Sequence, residues 1–221
     1  MNRAKLHLMV DSADSSRTRR RDETTRRLVR VARHFTAERG LAGFTLEELC
    51  SEAAVSRRTF FNYFASKDDA VLGIPIERSD AEAIARFLAS GHGGGELSPT
   101  LLADLAELAE HRWRALDLAP DTFEDMSAAV EREPRLLARM LDLMKRGEEF
   151  DARLIEQREG LPDGDLRAQV AAALVGVLSR DAAADFLADP VESTFRDHFE
   201  RRVAAVNTLV SSQALPERTH L

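Results

Sequence analysis

The sequence predicts an all-α fold, on three observations. Apolar residues recur at three- and four-residue steps along most of the 221 residues, the spacing that places them on one face of a helix. Ser, Thr or Asp stands at the start of several such segments, where it would cap a helix, and Gly or Pro ends several of them. No segment shows the alternating pattern of a β-strand. We therefore expect about nine or ten helices.

The first helix is predicted from Asp22 or Glu23 to Arg39, with Gly40 as its stop. Its buried stripe consists of Leu28, Val31, Ala32 and Phe35. Residues 1–21 mix Ser, Asp and Arg without a regular period, and we expect a flexible basic arm there.

Residues 45–64, TLEELCSEAAVSRRTFFNYF, predict two short helices joined by a tight turn. Thr45, with Glu48 three residues later, forms a capping box that begins the second helix. Ser56 is a second N-cap, so a third helix begins almost at once. Two helices this close must cross steeply, as in a helix-turn-helix.

The third helix carries side chains of the kinds that contact DNA. Phe60 and Phe64, four residues apart, can anchor it to its own domain. The other faces hold Arg, Asn and hydroxyl side chains, which suit guanine, adenine and phosphate. These residues are Ser56, Arg57, Arg58, Thr59, Asn62 and Tyr63.

The stretch from GFT at Gly43 through VSRRTFFNYFASKDDAVLG at Gly73 resembles the DNA-binding domain of TetR-family transcriptional regulators. The usual form of that domain is T-x-x-x-I-A-x-x-A-G-V-S-x-x-T-x-Y-x-Y-F-x-x-K, and the resemblance covers about a fifth of the chain. It implies an N-terminal three-helix helix-turn-helix domain followed by a larger helical ligand-binding and dimerisation domain. It also implies a dimeric repressor that binds double-stranded operator DNA and is released by a small-molecule effector.

The resemblance and the residue types together predict the DNA contacts. The expected phosphate contacts are Thr45, Ser56, Thr59, Tyr63 and Lys67, the last because the Lys of the family pattern contacts phosphate. The expected base-edge contacts are Arg57, Arg58 and Asn62.

Two departures from the family pattern change the expected contacts. Phe61 stands where the family usually has Tyr, so only ring contacts to the DNA backbone or to a thymine methyl group are expected from it. Ala54 replaces the frequent turn Gly, so the turn must either avoid a positive φ or be strained.

Charge is divided unevenly along the chain. Residues 1–66 contain 13 Lys and Arg against 8 Asp and Glu, whereas residues 67–221 contain 18 against 30. The basic part holds the motif, which suits a protein that turns one end towards a polyanion. The arginines within the arm, Arg17 and Arg19–Arg21, are either a solvated end or a contact to phosphates or to a minor groove, as in homeodomain arms.

The link between the two predicted domains is expected to be an interrupted helix. Ser66 caps a fourth helix, which Gly73 and Pro75 interrupt. A second helical segment follows near residues 79–90, and the glycine-rich residues 91–95 are expected to form a flexible loop. We assign residues 22–73 to the DNA-binding domain, 74–215 to the effector-binding and dimerisation domain, and 216–221 to a C-terminal tail. In the family, an effector in the second domain would shift the interrupted helix.

Three further helices are predicted over residues 98–118, 121–132 and 134–159. Their side chains could line a mainly apolar effector pocket, although such a stripe is more often plain core. The candidates are Leu105, Leu108, His111, Trp113, Phe123, Met126, Leu137, Met140 and Met144, with Glu107 and Arg114 as further polar groups.

The last two helices, over residues 165–188 and from Pro190 onward, have apolar or small residues on several faces. They either close the core of their own chain or pair with a second copy in a four-helix interface. The resemblance favours the dimer, through Val170, Leu174, Val177, Phe195, Phe199, Val203 and Val206.

No motif indicates catalysis, a metal or a cofactor. Cys50 is the single cysteine, the six His occur singly, and no nucleophile, zinc or phosphate-loop spacing is present. No apolar run approaches the roughly 20 residues that would span a bilayer, so we expect no membrane partner and a cytoplasmic location. The rival interpretation is a helical protein-interaction or redox-sensing module, or an enzyme, with a vestigial DNA-binding motif.

Overall fold

The structure, a computed structural model, describes residues 3–76, 80–115, 120–188 and 193–212. Within these ranges the chain forms helices and contains no strand, which confirms the all-α prediction. None of the helices described is both long and apolar enough to cross a membrane. The ten helices of the described ranges are α1 Arg3–Arg39, α2 Leu46–Glu52, α3 Arg57–Tyr63, α4 Lys67–Leu72, α5 Ala81–Ala89, α6 Leu101–Ala115, α7 Pro120–Arg132, α8 Pro134–Glu159, α9 Leu166–Ala188 and α10 Phe195–Ser212.

The first helix is much longer than predicted. It begins at Arg3, so the helix start expected at Asp22 or Glu23 is wrong, and residues 3–21 are helical rather than irregular. The physical reason is that no Gly or Pro occurs before Gly40, and nothing in this stretch therefore stops the propagation of the helix towards the N-terminus. The side chain of Arg17 lies outside the described residues, as do residues 1 and 2 and the predicted tail 216–221.

The chain forms two compact units, and the first comprises residues 1–79 and 114–142. The sequence-based division at residue 74 assigns residues 114–142 to the second domain, whereas their contacts group α7 and the start of α8 with the N-terminal helices. The core of this unit includes six fully buried residues on or next to α1, α3 and α4: Leu28, Ala32, Phe60, Phe64, Ala70 and Val71.

The end of α4 shows how the predicted break arises. Gly73 adopts a φ of +72°, and its N–H donates to the carbonyls of Asp69 and Ala70, so the helix closes with a left-handed cap. The buried Arg33 of α1 donates from Nε to the carbonyl of Val71 at 3.0 Å. A guanidinium on α1 therefore satisfies one of the carbonyls that the short helix leaves unpaired.

The second unit comprises residues 80–113 and 143–221. Its core contains buried residues of α5, α6, α8, α9 and α10. The small residues of α9 that the sequence places on several faces are buried here at Ala168, Ala171, Ala172 and Ala182. Close approach of helix backbones at these positions explains why the helix needs small side chains.

The glycine-rich loop 91–95 is tied to the C-terminus of α8 rather than flexible. Gly93 and Gly95 donate their N–H groups to the carbonyls of Arg158 and Glu159, at 3.3 and 2.8 Å. A Cβ atom on Gly91 would lie 2.2 Å from the carbonyl oxygen of Arg158, so only glycine permits this approach. The loop thus caps α8, which the sequence alone did not reveal.

Candidate nucleic-acid interface

The turn between α1 and α2 is closed by the predicted capping box. Glu48 N–H donates to Thr45 Oγ1 at 3.1 Å, and Thr45 N–H donates to Glu48 Oε2 at 2.6 Å. The Thr45 hydroxyl also donates to Glu48 Oε2, at 2.9 Å, and the two bonds that Thr45 donates to this carboxylate, from its N–H and from its hydroxyl, hold the pKa of Glu48 below its ordinary value. Thr45 therefore has a structural role as a helix cap. Its side chain is also exposed, and the predicted phosphate contact at this residue stays a prediction.

The turn between α2 and α3 is strained at Ala54. This residue has a φ of +51°, in the left-handed region that a side chain with a Cβ disfavours. Of the two outcomes that the sequence left open for this position, the structure shows strain. The neighbouring Val55 N–H donates to the carbonyl of Cys50 at 2.9 Å, which holds the turn in this conformation.

The third helix has one buried and one exposed face, as predicted. Phe60 and Phe64 are fully buried and anchor it to the domain. Ser56 caps its N-terminus by accepting the Thr59 N–H at 3.0 Å. The opposite face presents four residues to solvent: Arg57, Arg58, Phe61 and Asn62.

Phe61 is the apolar member of that exposed face. Its side chain is 47% exposed, and its ring packs edge-on against Phe60 with centroids 5.5 Å apart. A large apolar ring held at the surface loses free energy in water, which a partner surface would recover. The structure thus places Phe61 beside the predicted base-edge residues.

Arg57 is held from α2. Its guanidinium forms an ion pair with Glu47, and both side chains are 59% exposed. An exposed pair of this kind contributes little to stability, because water screens it. It does orient Arg57 at the start of α3, where a phosphate or a guanine could replace the carboxylate.

Lys67 points inward, towards the loop between α1 and α2. Its Nζ donates to the carbonyls of Leu41 and Phe44, at 2.5 and 2.7 Å, and lies 4.3 Å from the centre of the Phe44 ring. An ammonium has three N–H groups, so a third remains for a phosphate. The predicted phosphate contact at Lys67 stays a prediction, but the residue also has a structural role that the sequence pattern did not show.

A cluster of charged residues where α7 ends and α8 begins, which the sequence did not reveal, contacts α4 and the loop between α1 and α2. Glu133 Oε1 accepts the Leu41 N–H at 2.7 Å, Arg139 is paired with the buried Asp69, and Arg135 lies 3.5 Å from Asp68. We call Glu133, Arg135 and Arg139 the corner cluster. No local pattern identifies this cluster, because its partners are distant in sequence. The sequence does show two adjacent acidic residues on α4, Asp68 and Asp69, which need a partner if they are buried.

The packing of Cys50 argues against redox sensing. The thiol is buried on α2, and burial raises its pKa, which disfavours the reactive thiolate. Among the residues that the structure describes, no group of three or more His, Cys, Asp or Glu is placed to hold a metal ion.

The predicted effector-pocket residues fall in both units. Phe123, Met126, Leu137 and Met140 belong to the first unit, and Leu105, Leu108, His111, Trp113 and Met144 to the second. Leu105 and Leu108 are part of the core, and Trp113 stacks on Phe195 with ring centroids 5.0 Å apart. The pocket stays a prediction.

The second unit contains a cavity of about 530 Å³ that is almost wholly apolar. It lies between the start of α6 and the start of α9, and its lining includes none of the predicted pocket residues. Its apolar walls are Leu97, Pro99, Leu101, Leu102, Leu166, Val170, Ala171 and Leu174.

The predicted dimer residues differ in exposure. Val170 and Val177 of α9 are 57% and 45% exposed, and Leu174 between them is half-buried, so this face is presented to solvent. Phe195 and Phe199 of α10 are 4% and 1% exposed. The prediction of an interface role is wrong for these two residues, because their rings fill the core of their own chain, and Val203 and Val206 also pack against that core.

Two comparisons with known proteins, a family model and a relative in sequence, assign the chain to a family. Residues 28–72 match the model of the family described as bacterial regulatory proteins, tetR family. Over 169 residues the chain is 31% identical to the HTH-type transcriptional regulator TcmR of Streptomyces glaucescens, covering 74% of this chain and 73% of TcmR. The crystal structure of the multidrug binding protein EbrR complexed with imidazole aligns with 90% of this chain and 95% of its own, with a TM-score of 0.38 and 18% identity.

Proposed function

This chain belongs to the tetR family of bacterial regulatory proteins and is a DNA-binding transcriptional regulator; we propose that it is a dimeric repressor released from its operator by a small-molecule effector. The observation that carries the reading of DNA is the geometry of α3. The helix is anchored by two buried phenylalanines and presents Arg57, Arg58 and Asn62 on its exposed face.

In this proposal α3 lies in the major groove. Arg57 and Arg58 offer forked donors that match guanine, and Asn62 can pair with adenine. Ser56 and Thr59, at the capped N-terminus, bind phosphate and fix the register of the helix. Phe61 contacts a thymine methyl group or the sugar of the backbone through its exposed ring.

A second copy would supply the second half-site. The exposed face of α9, with Val170, Leu174 and Val177, supports a symmetric contact, because an apolar surface of this kind gains free energy when it is covered. Two α3 helices in such a dimer would lie about one helical turn of DNA apart, ~34 to 36 Å.

Release by an effector requires a coupling between the two units. Helix α8 contributes residues 134–142 to the first unit and residues 143–159 to the second. Its first turns carry Arg135 and Arg139, which hold α4. An effector that binds one position of α8 more tightly than another would therefore change the contacts of these two arginines with α4 in the DNA-binding domain. We propose that the chain has no catalytic activity and needs no cofactor. We also propose that it acts in the cytoplasm, where operator DNA lies.

The experiment is a binding titration with the DNA upstream of the gene that encodes this chain. Fluorescence anisotropy at several salt concentrations should show tight binding that weakens steeply with salt, and an Arg57→Ala, Arg58→Ala variant should lose the preference over random DNA. Lys145→Ala, Arg153→Ala, which removes the same charge from exposed positions of α8, is the control. Equal binding of wild type and the Arg57, Arg58 variant would reject the proposal and favour the interaction-module alternative.

A further inference from the structure

Helix α1 extends far upstream of the segment that matches the family. The match begins at residue 28, whereas the helix begins at Arg3. About 25 residues of helix therefore precede the matched segment, ~37 Å at 1.5 Å per residue. We call residues 3–27 the α1 extension.

The last turns of the α1 extension are basic rather than amphipathic. Residues 17–27 contain six arginines, against only Asp22 and Glu23. From residue 19 to residue 27 no described side chain is buried, and both Arg19 and Arg20 are exposed. A helical segment without a buried stripe is not held by a core, and its charged residues lie at the surface. The excess of guanidinium groups selects a polyanion.

The same turns lie against the recognition helix. The Arg21 guanidinium is positioned over the ring of Tyr63, 5.1 Å from its centroid, and Tyr63 is the last residue of α3. Arg19 and Arg20 are the two residues immediately before Arg21, whose side chain makes this contact with α3. Arg19, Arg20 and Arg21 lie within a single turn of α1, so the two exposed arginines belong to the turn that contacts the end of α3.

We propose that Arg19 and Arg20 bind phosphates of the DNA backbone that flanks the half-site read by α3. The inference rests on the proposed function and extends its contact surface beyond the helix-turn-helix. A guanidinium binds phosphate oxygens through two parallel N–H donors, and such contacts add affinity without adding base preference. The two arginines thus lengthen the bound site rather than changing its sequence.

The test compares two duplexes and two variants by fluorescence anisotropy. One duplex ends at the half-sites, and the other carries about ten further base pairs on each side, roughly one helical turn. Wild type should bind the longer duplex more tightly. An Arg19→Gln, Arg20→Gln variant keeps good helix formers and should lose about 10- to 30-fold in affinity for the longer duplex near 0.15 M salt, with a salt slope smaller by about 1.8.

Two controls separate the phosphate contact from other effects. Lys145→Gln, Arg153→Gln removes the same charge from exposed positions in α8 and should stay within about twofold of wild type. Arg19→Lys, Arg20→Lys keeps the charge and should recover most of the affinity, which a purely helix-stabilising role would not require.

The outcomes distinguish this inference from the proposed function. If wild type binds its operator specifically while the Arg19→Gln, Arg20→Gln variant binds both duplexes with unchanged affinity and slope, the inference is wrong and the proposed function stands. If wild type binds no duplex specifically, the proposed function fails first. A variant that changes base preference instead of the salt slope would also overturn the assignment to phosphates.

Discussion

Replacing Lys67 by Ala should weaken the fold as well as DNA binding. The ammonium group bonds the carbonyls of Leu41 and Phe44 and lies over the Phe44 ring. A hydrogen bond to a charged group contributes about 1.5 to 3 kcal/mol, and a cation–π contact about 0.5 to 1 kcal/mol. Because Lys67 is half-buried and water can reach the freed carbonyls, we take the low end and expect a loss of about 2 kcal/mol.

That loss should lower the midpoint of thermal unfolding by roughly 4 to 8 °C, since 1 kcal/mol corresponds to about 2 to 4 °C in a chain of this size. Far-UV circular dichroism measures the midpoint directly. Lys145→Ala, at an exposed position of α8, is the matched control and should leave the midpoint within about 1 °C. If Lys67→Ala unfolds at the same temperature as Lys145→Ala but binds DNA more weakly, Lys67 acts on phosphate alone and the inward role is refuted.

Three further predictions follow from individual contacts. Ala54→Gly relieves a positive φ and should raise the free energy of unfolding by up to about 1 kcal/mol, measured by urea titration; a decrease would show that Ala54 is unstrained. Arg139→Ala removes the cation paired with the buried Asp69, to which the Ser66 hydroxyl still donates at 2.7 Å, and should cost about 1 to 2 kcal/mol in the same titration. Asp69→Asn in the Arg139→Ala background should restore much of this loss, and additive losses would contradict the pairing. Thr45→Ala removes the Oγ1–H donor to the Glu48 carboxylate and keeps the backbone N–H donor, which is the larger of the two causes that lower the pKa of Glu48, so this pKa should rise part of the way towards its ordinary value in an NMR titration. Glu48 in wild type stabilises the fold above its unfolded-state pKa and loses that effect as the pH falls through its lower folded-state value, and an unchanged pKa in Thr45→Ala would rule out the Thr45 hydroxyl as a cause of the lowered value.

Helix ends could be predicted from the sequence because their causes are local. Ser56 and Ser66 each accept a backbone N–H from three residues later, and Gly160 ends α8 with a φ of +70°. Such contacts need only neighbouring residues, so a short stretch of sequence contains them entirely. The buried anchors Phe60 and Phe64 were predictable for the same reason, from a spacing of four.

Contacts between distant residues could not be predicted in this way. Lys67 reaches Leu41 across 26 positions, and Arg139 reaches Asp69 across 70. Periodicity shows which face of a helix is buried, but it does not show which helix covers that face. This is why the inward role of Lys67 and the corner cluster emerged only from the structure, and why Phe195 and Phe199 were assigned to an interface instead of a core.

The predicted start of α1 was wrong for a different reason. A polar, arginine-rich composition suggested an arm, whereas the absence of Gly and Pro up to Gly40 was the signal for a continuous helix. The contact of Arg21 with Tyr63 could not be read from either feature, because the two residues are 42 positions apart in the sequence.

The central claim is that α3 reads a specific DNA sequence, and selection from a pool of random duplexes tests it most directly. Wild type should enrich a pseudo-palindrome whose half-site centres are about 10 base pairs apart, as two copies of α3 require. Arg57→Ala should relax the preference at one base pair of each half-site, by about 1 to 3 kcal/mol. Enrichment of no motif by wild type, or of an unchanged motif by an Arg57→Ala, Arg58→Ala, Asn62→Ala variant, would contradict it.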